Sequence, residues 1–237
     1  MSETSEVRLA DRAFGRLLYA FFRRLVRLIG AAWWRLTVDG LDRLPDGPFV
    51  LAPVHRSYID TPLMCVVPRR MRFMGKAEVW RYPWLNGFLT TMGAFPVERG
   101  SADRDALHRA IGAIEGGEPV VLFPEGTRRD GPTLYPFFDG PAYVAAKTQV
   151  PIVPVGIGGS ARSMPRKAKF IRPSKIHIII GEPLPPPERK ESGRVSRRSV
   201  TERTAQLAEA IQALFDEAQI VAGTPNEEIE PGDETAA

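Results

Sequence analysis

Three short apolar runs, each leading into polar residues, limit the fold of this chain more than any other feature. They are Pro48 to Pro53 (P-F-V-L-A-P), Pro119 to Phe123 (P-V-V-L-F) and Pro151 to Gly158 (P-I-V-P-V-G-I-G). Runs of strand length without alternation suit strands buried on both faces, and such strands belong to parallel sheets covered by helices. Further strand-like stretches are Met71 to Gly75, Gly93 to Arg99 and Ile176 to Gly181, with a β-leaning start and a turn at Asp39-Gly40 in Arg35 to Leu44. Helical periodicity lies between them. Thr61 to Met64 reads as a first turn. Tyr82-Pro83-Trp84 opens a helix ending near Gly87 or Met92, and Asp103 to Ile114 forms another, stopped by Gly116-Gly117. Ala142 to Lys147 and Thr201 to Ala218 complete the set, the latter after a proline-rich charged loop over Pro183 to Ser199. The alternation predicts an α/β fold with a mostly parallel sheet flanked by helices. At 237 residues the chain has room for one sizeable core with peripheral additions.

The segment before the first strand is of another kind. Arg12 to Trp34 is apolar but broken by arginines, so no run approaches the ~18 to 20 residues of a spanning helix. At about 100° per residue, Arg12, Arg16, Arg23, Arg24 and Arg27 share an arc of roughly 120°. Phe14, Leu18, Phe21, Phe22, Leu25, Val26, Leu28 and Ile29 occupy the other face, with Trp33 and Trp34 at its end. A basic stripe beside a wide aromatic-rich face suits a helix lying in a membrane interface. The same face also fits packing against the chain's own domain or a partner. The expected organisation is an amphipathic membrane-association segment over residues 1–35, an α/β domain over 36–222 and a disordered acidic tail over 223–237.

That tail holds Glu227, Glu228, Glu230, Asp233 and Glu234, so the net charge of +4 leaves the remaining residues near +9. A surface that basic suits anionic partners, membrane headgroups and acidic carrier proteins among them. The basic stretch Arg162 to Lys175 contains one aromatic, Phe170, and no nucleic-acid motif, so no nucleic-acid partner is expected. No Walker A or G-x-G-x-x-G loop occurs. The lone Cys65 sits in an apolar run and reads as a core thiol. With no disulfide and no signal-peptide pattern, the expected setting is cytoplasmic.

The polar residues at the strand ends carry the candidate chemistry. After the first run, V-H-R-S-Y-I-D-T places His55 and Asp60 at a strand-to-helix junction, where open α/β sheets place their sites. A neutral imidazole takes a proton from an alcohol, and a carboxylate beside it fixes the tautomer. The same residues also fit a helix cap and an ordinary loop histidine. Arg99 ends another strand, and Glu125-Gly126-Thr127-Arg128 follows a third. Charges at the ends of buried strands are costly unless paired, and so mark a site. The arginines can grip a phosphate or carboxylate, and the Gly126 and Thr127 amides can add donors.

Together these stretches resemble the membrane-associated glycerolipid acyltransferases, the 1-acylglycerol-3-phosphate acyltransferase family. Its N-H-x4-D motif matches Val54-His55 to Asp60, with valine where asparagine is usual; Gly93, Phe95 and Arg99 match the second motif. F-P-E-G-T-R is complete as Phe123 to Arg128, and Ile152-Val153-Pro154-Val155 matches the fourth. The resemblance implies that His55, assisted by Asp60, activates a glycerol hydroxyl for attack on an acyl thioester. It further implies that Glu125, Gly126, Thr127 and Arg128 shape the acceptor site, with Arg99 and Lys76 on the acceptor phosphate. No metal or cofactor is called for, since acyl-CoA or acyl-carrier protein enters as donor substrate. The expected acceptor is lysophosphatidic acid, giving phosphatidic acid, with glycerol 3-phosphate or another lysophospholipid as alternatives. The expected location is the cytoplasmic face of the membrane, bound peripherally to anionic lipid. Thioester hydrolysis and a non-catalytic membrane-binding role are the competing readings, and Val54 is expected to alter positioning or substrate preference.

Overall fold

The structure is a computed structural model that describes residues 13–97, 104–166, 168–189 and 194–226, with the side chains of Ala13, Phe14, Lys76 and Trp84 left aside. Its elements in order are α1 (Ala13–Trp34), β1 (Thr37–Asp39), β2 (Val50–Pro53), α2 (Asp60–Leu63), β3 (Arg72–Lys76), α3 (Pro83–Thr91) and β4 (Ala94–Val97). There follow α4 (Arg104–Glu115), β5 (Val120–Val121), α5 (Gly140–Thr148), β6 (Ile152–Gly158), α6 (Ser160–Ser163), β7 (His177–Ile180) and α7 (Arg197–Ala222). Seven strands form one sheet in the order β1-β7-β6-β2-β5-β3-β4. Every pairing is parallel except β6 with β7.

The three apolar runs lie side by side at the centre. Val50 and Leu51 pair with Val120 and Val121 on one side and with Ile152 and Val153 on the other. All of β2 and β6 is buried, as their unbroken apolar sequences require. The run at Pro119 to Phe123 is shorter as a strand than expected. Leu122 still donates to Leu51, but the Gly126 amide then turns back to Phe123, ending the ladder. Burial pushes the Cys65 thiol up to about 11, which keeps it a protonated core group.

The closing helix starts earlier and ends later than its periodicity predicts. Ser196 accepts from the Ser199 amide at its start, and Gly223 adopts φ 77° at its end. It lies directly on β6, because a methyl group at Gly156 or Gly158 would collide with the Leu214 and Ala218 carbonyls. Beyond it, Asn226 donates to Asp216 at 2.5 Å, so the chain is held up to that residue. The acidic residues from Glu227 onward lie outside the described residues.

Helix α1 divides its apolar surface rather than turning it all one way. Tyr19, Val26 and Trp34 are buried against the domain, and Leu18 and Phe22 are half-buried there. Polar bonds fix this seam: Arg27 donates to the Val66 carbonyl (2.7 Å), and the Trp34 indole donates to Ser163 Oγ (2.7 Å). Leu17, Phe21, Leu25, Leu28, Ile29 and Trp33 remain exposed, Leu17 at 70%. Packing against the chain's own domain therefore accounts for only part of the apolar face: Val26 and Trp34 are buried inward, Leu18 and Phe22 are half-buried, and the six exposed residues meet nothing among the described residues that covers them.

Candidate active site

The carboxyl ends of β2 and β5 are neighbours, so the loops leaving them meet. The loop after β2 wraps around a single carboxylate oxygen. Asp60 Oδ2 accepts from the Arg56 amide (2.7 Å), the Ser57 amide (2.6 Å) and His55 Nδ1 (3.1 Å). Asp60 is fully buried and opens α2, whose N-cap is Ile59, so its side chain organises the loop rather than capping a helix. An Nδ1–H held by a carboxylate leaves Nε2 as the lone-pair nitrogen. The imidazole stacks on Phe123, the last residue of the second apolar run, at 4.0 Å between centroids.

Beneath this histidine lies an ion pair that sequence reasoning missed. Arg56, 2% exposed, directs Nη1 at both Glu125 oxygens, at 2.7 and 2.9 Å. Its other donors reach the carbonyls of Gly131 and Thr133, and its guanidinium sits over the Phe215 ring. Glu125 also accepts from the main-chain amides of His55 (3.3 Å) and Tyr135 (3.2 Å). The buried charges therefore satisfy each other, and the pair clamps the His55 loop to the segments at 124–129 and 131–135. The signal available in the sequence was an arginine between His55 and Asp60, matched by an acid at the next strand end. Nothing in either stretch pairs them until β2 and β5 become neighbours.

The remaining candidates distribute around that clamp. Gly126 adopts φ 66° with the Phe138 ring where a side chain would otherwise stand, and its amide is engaged by Phe123. It is therefore not the free donor that the sequence reading allowed, while the Thr127 amide makes no bond among the described residues. Arg128 lays its guanidinium on Tyr58, 3.2 Å from the ring centroid, and its buried Nη1 has no hydrogen-bond partner. Lys76 ends β3 with its backbone paired to Val97, and Arg99 lies outside the described residues. His108 is exposed on α4, and His177 is buried at the start of β7, between β1 and β6; no bond joins either to the His55 loop among the described residues.

His55 lines a cavity of about 950 Å³ whose apolar lining includes Met74, Leu107, Leu122, Phe123 and Phe138. Arg104, His108 and Arg197 line it elsewhere. Such a space accommodates a long hydrocarbon chain with a reactive group at the imidazole.

The fold thus brings a buried carboxylate–histidine pair, through His55, to the wall of a largely apolar cavity. The Acyltransferase family model matches residues 35–158, slightly more than half of the chain, and the chain belongs to that family. Among curated proteins it is similar to a chloroplastic 1-acyl-sn-glycerol-3-phosphate acyltransferase of Brassica napus, 29% identical over 184 residues, covering 75% of this chain and 53% of that protein. It is also similar to the 1-acyl-sn-glycerol-3-phosphate acyltransferase of Bacillus subtilis, 28% identical over 170 residues, covering 70% of this chain and 82% of that one. The chain thus spans about half the length of the plant relative. In fold it matches the crystal structure of the 1-acyl-sn-glycerophosphate acyltransferase of Thermotoga maritima, with a TM-score of 0.69 at 23% identity, over 84% of this chain and 79% of the other.

Proposed function

We propose that this protein is an O-acyltransferase that moves a fatty acyl group from an acyl thioester to the free hydroxyl of a 1-acylglycerol 3-phosphate, forming phosphatidic acid. The observation that carries the reading is His55, held through Nδ1 by Asp60 and lining the apolar cavity. In this mechanism Nε2 takes the proton as the acceptor hydroxyl attacks the thioester carbonyl. Asp60 stabilises the resulting imidazolium. The Thr127 amide is the candidate donor to the tetrahedral oxyanion. Collapse breaks the carbon–sulfur bond, and the imidazolium returns its proton to the departing thiolate.

The acceptor phosphate is assigned to cations around this centre. Arg128 has an unpartnered Nη1 and is the best supported by geometry. Arg99 and Lys76 are proposed on their sequence positions. The donor is acyl-CoA or acyl-carrier protein, consistent with the basic surface. No described helix is long and apolar enough to cross a membrane. The exposed apolar face of α1, with its arginines alongside, supports lying in the interface of an anionic leaflet, and the cytoplasmic side is proposed with it.

The test is transfer by purified protein from palmitoyl-CoA to lysophosphatidic acid, glycerol 3-phosphate or no acceptor. Transfer should depend on lysophosphatidic acid, and His55→Ala should reduce it on the order of 10² or more. Comparable thioester loss without acceptor would establish a hydrolase instead, and full activity in the variant would remove His55 from the mechanism.

A further inference from the structure

Between Gly140 and Gly181 the sequence has no acidic residue, and the loop between α6 and β7 carries the basic residues Arg166, Lys167, Lys169, Arg172 and Lys175, with Arg162 in α6 just before it. At its tip, residues 168–172, Phe170 is 81% exposed and Ile171 45%, and neither joins the hydrophobic core. Lys169 and Arg172 flank them and are exposed. An almost fully exposed phenylalanine between cations is an unfavourable thing to show water, and the loop is too well held to turn it inward. The Ser163 carbonyl accepts from the Arg172 amide (2.8 Å), and Ser163 Oγ donates to the Arg172 carbonyl (2.7 Å). The Ala168 amide is bonded to the Pro165 carbonyl.

The anchor of this tip is also the anchor of α1. Ser163 Oγ is the group that receives the Trp34 indole, and the adjacent Trp33 is half exposed. On its other side the same segment touches the catalytic loop: Ser57 Oγ donates to the Met164 carbonyl (2.9 Å), and Arg166 pairs with Asp130 at 3.6 Å. One short stretch therefore ties the last turn of α1 to the loop that carries His55.

We propose that the 168–172 tip is a second lipid contact, entering the interface of an anionic bilayer with Phe170 and Ile171 among the acyl chains and Lys169 and Arg172 at the phosphates. The occupant is lipid because the protruding groups are apolar at the centre and cationic at the edge, with no acidic or neutral polar side chain in 168–172 to complement a folded partner. With α1 as the first contact, the tip fixes how the molecule sits on the membrane, since two separated contacts remove the rotation that one helix permits. The proposal rests on the membrane association of α1 put forward above.

The experiment is co-sedimentation of the full chain with phosphatidylcholine vesicles and with phosphatidylcholine–phosphatidylglycerol vesicles. Wild type, Phe170→Ser/Ile171→Ser and the helix variant Phe21→Ser/Leu28→Ser are compared, with thermal midpoints confirming that each is folded. The tip variant should bind the anionic vesicles less tightly on the order of tenfold, as expected for removing one partly inserted aromatic and one aliphatic group. In parallel, Phe170→Cys is labelled with an environment-sensitive dye, which Cys65 escapes because it is buried. The dye should shift to the blue on anionic vesicles. Undiminished binding by the tip variant, while the helix variant releases, overturns this proposal and leaves the membrane reading standing. If wild type binds neither vesicle, both fall. Loss of binding to acyl-carrier protein in the tip variant, with vesicle binding intact, overturns it in favour of a protein-docking loop.

Discussion

The clamp beneath His55 and the outer face of α1 depart from the usual partition of residues in opposite directions. In the clamp, Arg56, Asp60 and Glu125 lie inside the protein with charges that water would otherwise solvate. On α1, Phe21, Leu28 and Trp33 lie outside it with surface that water disfavours. The clamp offsets most of its cost internally, because Arg56 meets Glu125 and Asp60 Oδ2 meets three donors, with Asp60 Oδ1 alone lacking a hydrogen-bond partner among the described residues. The helix has no such resolution within the described chain. A buried charge held by partners within the chain is thus informative about how a site is held rigid. An exposed apolar face left unpartnered is informative about what lies beyond the molecule.

The two regions should respond oppositely to substitution, and the largest effect belongs to the clamp. Arg56→Met leaves the Glu125 carboxylate buried without its cation, and should destabilise the fold by about 3 to 5 kcal/mol in denaturant titrations. The double variant Arg56→Met/Glu125→Leu should recover much of that stability but little acyl transfer, because the Glu125 bond to the His55 main chain is also gone. Equal stability in the single and double variants would show that the pair holds no strain of this kind. Next comes Asp60→Asn. Its amide oxygen can keep all three bonds to Oδ2 while losing the charge, so the thermal midpoint should change little and turnover should fall on the order of 10².

Replacing Phe21 and Leu28 by serine should do the reverse. Unfolding free energy should stay within about 0.5 kcal/mol of wild type, as for exposed positions generally, while partition onto anionic vesicles falls. A large loss of stability would place that face against protein instead. The smallest effect is a pH dependence at His177, which bonds Thr37 Oγ1 (2.6 Å) and lies 3.3 Å from Asp39. Burial lowers its pKa below 6.5, with the help of Lys175 and against the opposing charges of Asp39 and Glu217. Its neutral form therefore favours the fold fully above pH 6.5, and that contribution is lost as pH falls below it through the lowered value. His177→Gln should flatten this part of the stability profile, read by thermal midpoints between pH 7.5 and 5.

Much of the sheet was legible because its inner strands are apolar without interruption. Nothing but double-sided burial makes sense of P-F-V-L-A-P or P-I-V-P-V-G-I-G, and both are strands with every residue buried or nearly so. The run P-V-V-L-F predicts a longer strand than the Val120–Val121 that forms, because apolarity marks burial and does not mark where a ladder ends. Phe123 left the ladder to support an imidazole. The start of α7 at Arg197 was hidden by a proline-rich, charged approach, since a serine cap of the kind at Ser196 leaves little trace in periodicity. Within the site, His55 and Asp60 were visible as a spaced pair in one loop. Arg56 was not, because its partner lies far along the chain and the ion pair exists only once two strands are adjacent.

By itself the sequence determined the class of fold, the loop in which a histidine and a carboxylate meet, and a first helix unable to span a membrane, since each depends on local composition and spacing. Tertiary structure alone decided that Glu125 faces Arg56, that the Gly126 amide is occupied while Arg128 lies on Tyr58, and that α1 buries a narrow seam and leaves its broad apolar face outside. Those outcomes depend on which strands become neighbours and how closely helices approach the sheet, and pairings made across such distances leave no periodicity in the chain to be read.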